Sequence, residues 1–185
     1  MDESPRPNLA ILAGASAAIA LLSVLMLPWQ AAIASAVLGN LMIAGADIDA
    51  RTCLLPDIVT WGAVACGIVA VVTFNPYDQW HAGLAAIMRA AGTALALTLL
   101  RGCYAQLRTR EGLGFGDVKL AAAVGAWLPL EAIPLCFGLA AGAALVAVLL
   151  ARLRGQAISA STKIPFGAFL CPALWFIFYV GVLPG

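Results

Sequence analysis

From Leu9 to Leu27 the chain runs for 19 residues without a charged side chain, and six more predominantly apolar stretches follow it. A helix needs about 20 apolar residues to cross the hydrocarbon core of a bilayer, with a tolerated range of about 17–25. The candidate spans are 9–27, 30–46, 58–74, 82–100, a short one at 118–130, 133–151 and 165–183, and together they use nearly the whole sequence. Composition agrees: 63% of the residues are hydrophobic, 10% are charged and the mean hydropathy is +1.00, whereas a soluble domain carries about 25% charged residues. Strands of an outer-membrane barrel would alternate apolar and polar positions, and these runs do not. The expected fold is all-α: a polytopic integral membrane helix bundle of about seven spans. It forms a single membrane-embedded domain over 1–185, with 1–8 as a polar tail.

The first span is expected to be retained, because its apolar run exceeds the 7–15 residues of a signal-peptide core and no small-residue cleavage site follows. Nine of the ten Lys and Arg residues lie in or beside alternate connections: Arg6, Arg51, Arg101, Arg108, Arg110, Lys119, Arg152, Arg154 and Lys163. The opposite connections, around 28–30, 75–81 and 130–132, carry none. By the positive-inside rule the N-terminus and the basic loops are cytoplasmic and the C-terminus is outside. This predicts a multi-pass membrane protein, in contact with lipid. Arg89 alone falls inside a span, where it either snorkels to an interface or hydrogen-bonds within the bundle.

A net charge of +1 gives no reason to expect a nucleic-acid partner. The five cysteines include no C-x-x-C pair, so neither a zinc site nor a disulfide framework is indicated. No metal and no cofactor are expected.

The acids carry more information. Asp2, Glu3, Asp78, Glu111 and Glu131 are explained as solvated residues in polar segments. Asp47, Asp49, Asp57 and Asp117 each lie within a few residues of a predicted helix end on the basic side, where burying a carboxyl is costly unless it is paired, protonated or hydrated. Asp57 and Asp117 have the positions of helix N-caps, and for Asp57, after Pro56, capping is the preferred reading. For Asp117 capping is not sufficient. It ends Gly112-Leu113-Gly114-Phe115-Gly116-Asp117, in which glycines at alternate positions let another backbone come close. No strand precedes this segment and no G-K-[ST] follows, so it is not a phosphate loop. An open backbone beside a carboxyl suits an extended peptide.

Arg110 to Leu120, followed by Gly125-Ala126-Trp127-Leu128, closely resembles the G-x-G-D segment of bacterial type IV prepilin peptidases, which are intramembrane aspartic proteases. Asp49 to Asp57 is similar to the family's first aspartate motif, in which the catalytic Asp lies seven residues before the Pro of a Leu/Ile-Pro-Asp/Asn; counting back from Pro56 gives Asp49. Ile164 to Leu170 resembles the family's I-P-F-G-P-F, with Ala168 in place of the second Pro. The resemblance implies that Asp49 and Asp117 are the catalytic pair. Gly114, Gly116, Lys119, Pro56, Asp57, Pro165, Phe166 and Gly167 then support the motif or the substrate cleft. Pro165-Phe166-Gly167 either shapes the cleft or starts the last span, and Lys119 pairs with headgroups or with a carboxylate.

Two carboxyls at such a site share a proton, since like charges at about 3 Å cannot both ionise. Which one acts first as base stays open. The implied partners are prepilins or pseudopilins with a short basic leader, a cleavage point after Gly and a hydrophobic helix. Glu111, Asp57 and Asp47 are the acids available to the leader. Bifunctional members of the family have a large cytoplasmic loop, often with paired zinc-binding cysteines, near the N-terminus. Here little more than Pro28-Trp29-Gln30 joins the first two spans, so a minimal form without N-methyltransferase activity is expected. The alternatives are a proton-coupled transporter or channel, and a non-catalytic component of a pilus or secretion assembly. The particular substrate and the oligomeric state are not legible in the sequence.

Overall fold

The computed structural model describes residues 9–108, 114–155 and 165–183. Among these the regular structure is entirely helical: α1 (Leu9–Met26), α2 (Trp29–Thr52), α3 (Asp57–Phe74), α4 (Gln79–Arg108), α5 (Phe115–Trp127), α6 (Ile133–Leu153) and α7 (Gly167–Gly181). Five of them, α1 to α4 and α6, are long and apolar enough to cross a membrane. The molecule is a polytopic helical membrane protein.

Several helices run past the apolar stretches that predict them. α2 continues through Asp47, Asp49 and Arg51, because backbone hydrogen bonding does not stop where hydropathy does. Arg51 pairs with Asp47 one turn back. The helix stops where Cys53 takes a left-handed conformation, φ 51°, and donates its N–H to the Asp49 carbonyl. Pro56 then leads into α3. α4 reaches Arg108, so Arg101 is helical and lies 3.8 Å over the Phe115 ring at the start of α5.

The fifth apolar stretch has a different character from the others. Its 13 residues rise only about 20 Å at 1.5 Å each, against a hydrocarbon thickness of about 30 Å. Every residue from Leu120 to Leu128 is buried. α5 is therefore a central post surrounded by protein. Around it α4, α3, α2, α7 and α6 follow one another, each packed on the next among the described residues. α1 lies outside this arc, against α2.

Small residues bring the post and the arc close together, as expected where lipid offers no hydrophobic drive to helix association. A Cβ on Gly125 would stand 2.4 Å from the Arg89 carbonyl oxygen. The Arg89 Nε donates to the Gly125 carbonyl at 3.3 Å, and the Thr93 hydroxyl lies 2.8 Å from the Ala121 carbonyl oxygen. The charged residue inside the fourth span is thus a helix-to-helix tie. On the other side the Trp127 indole donates to the Ala63 carbonyl at 2.7 Å and meets Phe178 edge-on. Gly125→Ala forces the α4 backbone away and is expected to cost about 2 kcal/mol, in the range for overpacking. Thermal unfolding in detergent at a temperature unchanged from wild type would contradict this.

Candidate active site

Asp49 sits in the last turn of α2 and is 4% exposed. A carboxyl buried there needs a hydrogen-bond partner, and the start of α7 provides one. The Ala168 N–H donates to Asp49 Oδ2 at 2.8 Å. This amide is one of the N-terminal donors that a helix leaves unsatisfied, at its electropositive end. Gly167 makes the approach possible, because a Cβ there would lie 2.8 Å from Asp49 Oδ2 and 2.3 Å from Leu55 Cδ1.

Asp117 is the third residue of α5 and is 9% exposed. Its Oδ2 accepts the Gly114 N–H at 3.3 Å. That is the returning half of a capping box, with a glycine at the N-cap that has no side chain to supply the other half. A Cβ on Gly116 would stand 3.0 Å from Leu55 Cβ. Leu55 is thus wedged between the glycine before Asp117 and the glycine beside Asp49, and it fixes the separation of the two helix ends. The two carboxyls are held on either side of this one leucine, Asp117 next to Gly116 and Asp49 against Gly167.

The remaining motif residues fall into place around this pair. Lys119 forms an ion pair with Asp57 across α5 and α3. Asp57 is the first residue of α3 rather than its cap: Pro56 holds the N-cap position and no side chain caps the helix. The expectation of Asp57 as N-cap is corrected by this long-range pairing, since a carboxylate facing Lys119 is better satisfied there than by its own amides. Asp47 and Asp57, the acids expected to be available to a basic leader, are both occupied by basic side chains. Phe166 is the N-cap of α7, its carbonyl accepting from Phe169 and Leu170 at 3.0 Å. Pro165 precedes it, and Gly167 lies against the Asp49 carboxylate. Glu111, Arg110, Gly112, Leu113, Lys163 and Ile164 lie outside the described residues.

Leu55 and the Ala168 N–H escaped the reading of the sequence. Leu55 lies inside the D-x5-L-P-D string but looks like a simple apolar residue. Ala168 stood out only as a departure from the family's proline. Among the described residues no three His, Cys, Asp or Glu side chains are grouped so as to hold a metal ion.

The profile of the "Type IV leader peptidase family" matches residues 36–151. The chain belongs to the type IV leader peptidase family. The matched segment contains Asp49, Pro56, Asp57, Gly114, Gly116, Asp117 and Lys119, and ends before Gly167. Among curated leader peptidases, the chain is 34% identical to the "Prepilin leader peptidase/N-methyltransferase" of Dickeya chrysanthemi, over 89% of this chain and 56% of that protein. It is 35% identical to the protein of the same name from Burkholderia pseudomallei, over 89% of this chain and 51% of the relative. For the Klebsiella pneumoniae relative the figures are 36%, 76% and 60%. The chain spans about half the length of the curated leader peptidases it matches. No solved structure matches the chain significantly.

Proposed function

We propose that this leader peptidase family member is an intramembrane aspartic endopeptidase that cuts the short basic leader from prepilins or pseudopilins, with Asp49 and Asp117 as its catalytic pair. The observation that carries the reading is two buried carboxyls on separate helices whose ends meet at Leu55 in a membrane bundle. In this mechanism one carboxylate takes a proton from water, whose oxygen attacks the scissile carbonyl carbon. The protonated partner gives its proton to the carbonyl oxygen. Collapse of the tetrahedral intermediate breaks the C–N bond as a proton passes to the leaving amine. Gly114, exposed at the start of α5, leaves the backbone open beside Asp117, as an extended substrate segment requires, whereas Gly116 is packed on Leu55.

The basic residues support placing this end of the bundle on the cytoplasmic side of the inner membrane. Arg51, Arg101 and Lys119 lie at the same helix ends as the Asp pair. A substrate with its leader in the cytoplasm and its apolar helix in the bilayer then presents the scissile bond to the pair. A proton-relay reading is not favoured, because Arg89, the charged residue within a span, is tied to the Gly125 carbonyl.

The test is co-expression with a substrate made of a basic leader ending in Gly and an apolar helix of about 20 residues. Mass spectrometry of membranes is expected to show the substrate shortened by its leader only when this protein is present. Intact substrate in membranes that hold the folded protein would overturn the proposal.

A further inference from the structure

Asp117 lies outside the fully packed part of α5. The unbroken run of buried residues begins at Leu120; before it Phe115 is exposed, and Gly116, Val118 and Lys119 are half-buried. The leading amides of a helix also have no carbonyl one turn back to bond. Neighbouring side chains therefore have to fix the turn that carries Asp117.

Helix geometry arranges the contacts they make. Phe115 and Lys119 are four residues apart and share one side of α5, while Asp117, midway between them, is about half a turn away. On the shared side Arg101 of α4 stands over the Phe115 ring, and Lys119 pairs with Asp57 of α3. Gly116 lies between the two sides, and there a Cβ would meet Leu55 Cβ at 3.0 Å. Round the helix the order is thus Asp57, then Leu55, then the side of Asp117. Along the chain Asp57, Leu55 and Asp49 come in the same order, read backwards. The segment 49–57 is a strap round the first turn of α5.

The middle of the strap is seated in glycines from three helices. A Cβ on Gly45 of α2 would stand 3.6 Å from Leu55 Cδ2, one on Gly167 of α7 would stand 2.3 Å from Leu55 Cδ1, and Gly116 of α5 receives the base of the side chain. One end of the strap continues into α2. The other end is fastened to α5 by the ion pair of Asp57 with Lys119.

We propose that Lys119 is a positioning residue for the catalytic pair: through Asp57 it fastens the strap behind the first turn of α5 and keeps Leu55 seated between the ends that carry Asp49 and Asp117. The inference rests on the peptidase reading and gives Lys119 a part in it without contact with the substrate. The side chains of Lys119 and Asp57 are 31% and 67% exposed, and an ion pair so open to water adds little to stability. Its effect is geometric. Pro56, with φ fixed at −66°, joins Leu55 stiffly to Asp57, so release of Asp57 lets the leucine shift in its seat. The two carboxyls on either side of it then lose their alignment.

The experiment measures kcat and KM of the purified full chain on a substrate made of a basic leader ending in Gly and an apolar helix, with thermal unfolding in the same detergent. Lys119→Met and Asp57→Ala are each expected to lower kcat about tenfold, short of the about 10²-fold of a full 1 Å misplacement. KM and the unfolding temperature should change little. Lys119→Arg, which can still reach the carboxylate, should recover most of the rate. The double variant Lys119→Met, Asp57→Ala should be no slower than the slower single one, because both substitutions remove the same contact. A loss confined to KM would put Lys119 on the substrate, and an unfolding temperature that falls in step with the rate would make the pair structural. Losses that multiply in the double variant would mean that the two residues act separately. Each of these overturns the proposal, as does wild-type kcat in both single variants. If the unaltered protein leaves the substrate whole, the peptidase reading itself fails, and the proposal with it.

Discussion

Asp49→Asn and Asp117→Asn, made singly, are expected to leave the protein folded in the membrane and its substrate uncut. An amide has nearly the shape of the carboxyl it replaces, and its oxygen can still accept the N–H of Ala168 at position 49 or of Gly114 at position 117. Neither helix start loses its partner. What is lost is the ability to take up or give a proton, which contributes about 10²–10⁴-fold to a rate. Because the pair acts as a unit, losing either member forfeits nearly the whole effect, and the double variant should be no worse than a single one. Leader removal would be followed by mass spectrometry, with circular dichroism of the purified variants reporting helix content. Either single variant cutting at more than about a tenth of the wild-type rate is incompatible with a two-carboxyl mechanism of this size.

Gly167→Ala separates positioning from chemistry. The added methyl would stand 2.3 Å from Leu55 Cδ1 and 2.8 Å from Asp49 Oδ2. The leucine tip can swing aside, but the carboxylate is held by the Ala168 N–H and has to shift with it. Displacing a catalytic group by about 1 Å costs about 10²-fold in rate, and the loss should appear in kcat with KM little changed. Stability should fall by less than for Gly125→Ala, where the obstacle is the α4 backbone. Wild-type kcat in a folded Gly167→Ala protein would show that the contact between α7 and Asp49 does not set the geometry of the pair.

Hydropathy alone announced the helices, since a run such as Leu9–Leu27 has no other stable place to go. It could not announce their ends. α2 carries Asp47, Asp49 and Arg51 in its final turns because hydrogen bonding along the backbone and an ion pair one turn apart outweigh their polarity. Nor could it tell a span from a post: the stretch at 118–130 reads as a short crossing, and only the packing of its neighbours shows α5 wrapped by protein. The aspartates were legible through motif spacing, because the chemistry fixes residue types close together in sequence. Leu55 was not, because its role lies in two glycines from distant segments. Asp57 misled for a related reason, since its partner Lys119 is 62 residues away. Periodicity gives the faces of a helix but not its neighbours, so the packing of α5 against α3, α4 and α7 had no signal in the sequence.

The shortness of α5 bears on how the protein responds to different membranes. A helix that spans lipid is tilted or strained when the hydrocarbon thickness departs from its own apolar length. α5 is wrapped by other helices and has no such length to match. In a thicker or thinner bilayer the 30-residue α4 and the other outer helices adjust their tilt, while the post that carries Asp117 keeps its register with Arg89 and Thr93. Membrane thickness should therefore change the tilt of the outer helices before it changes the geometry of the carboxyl pair.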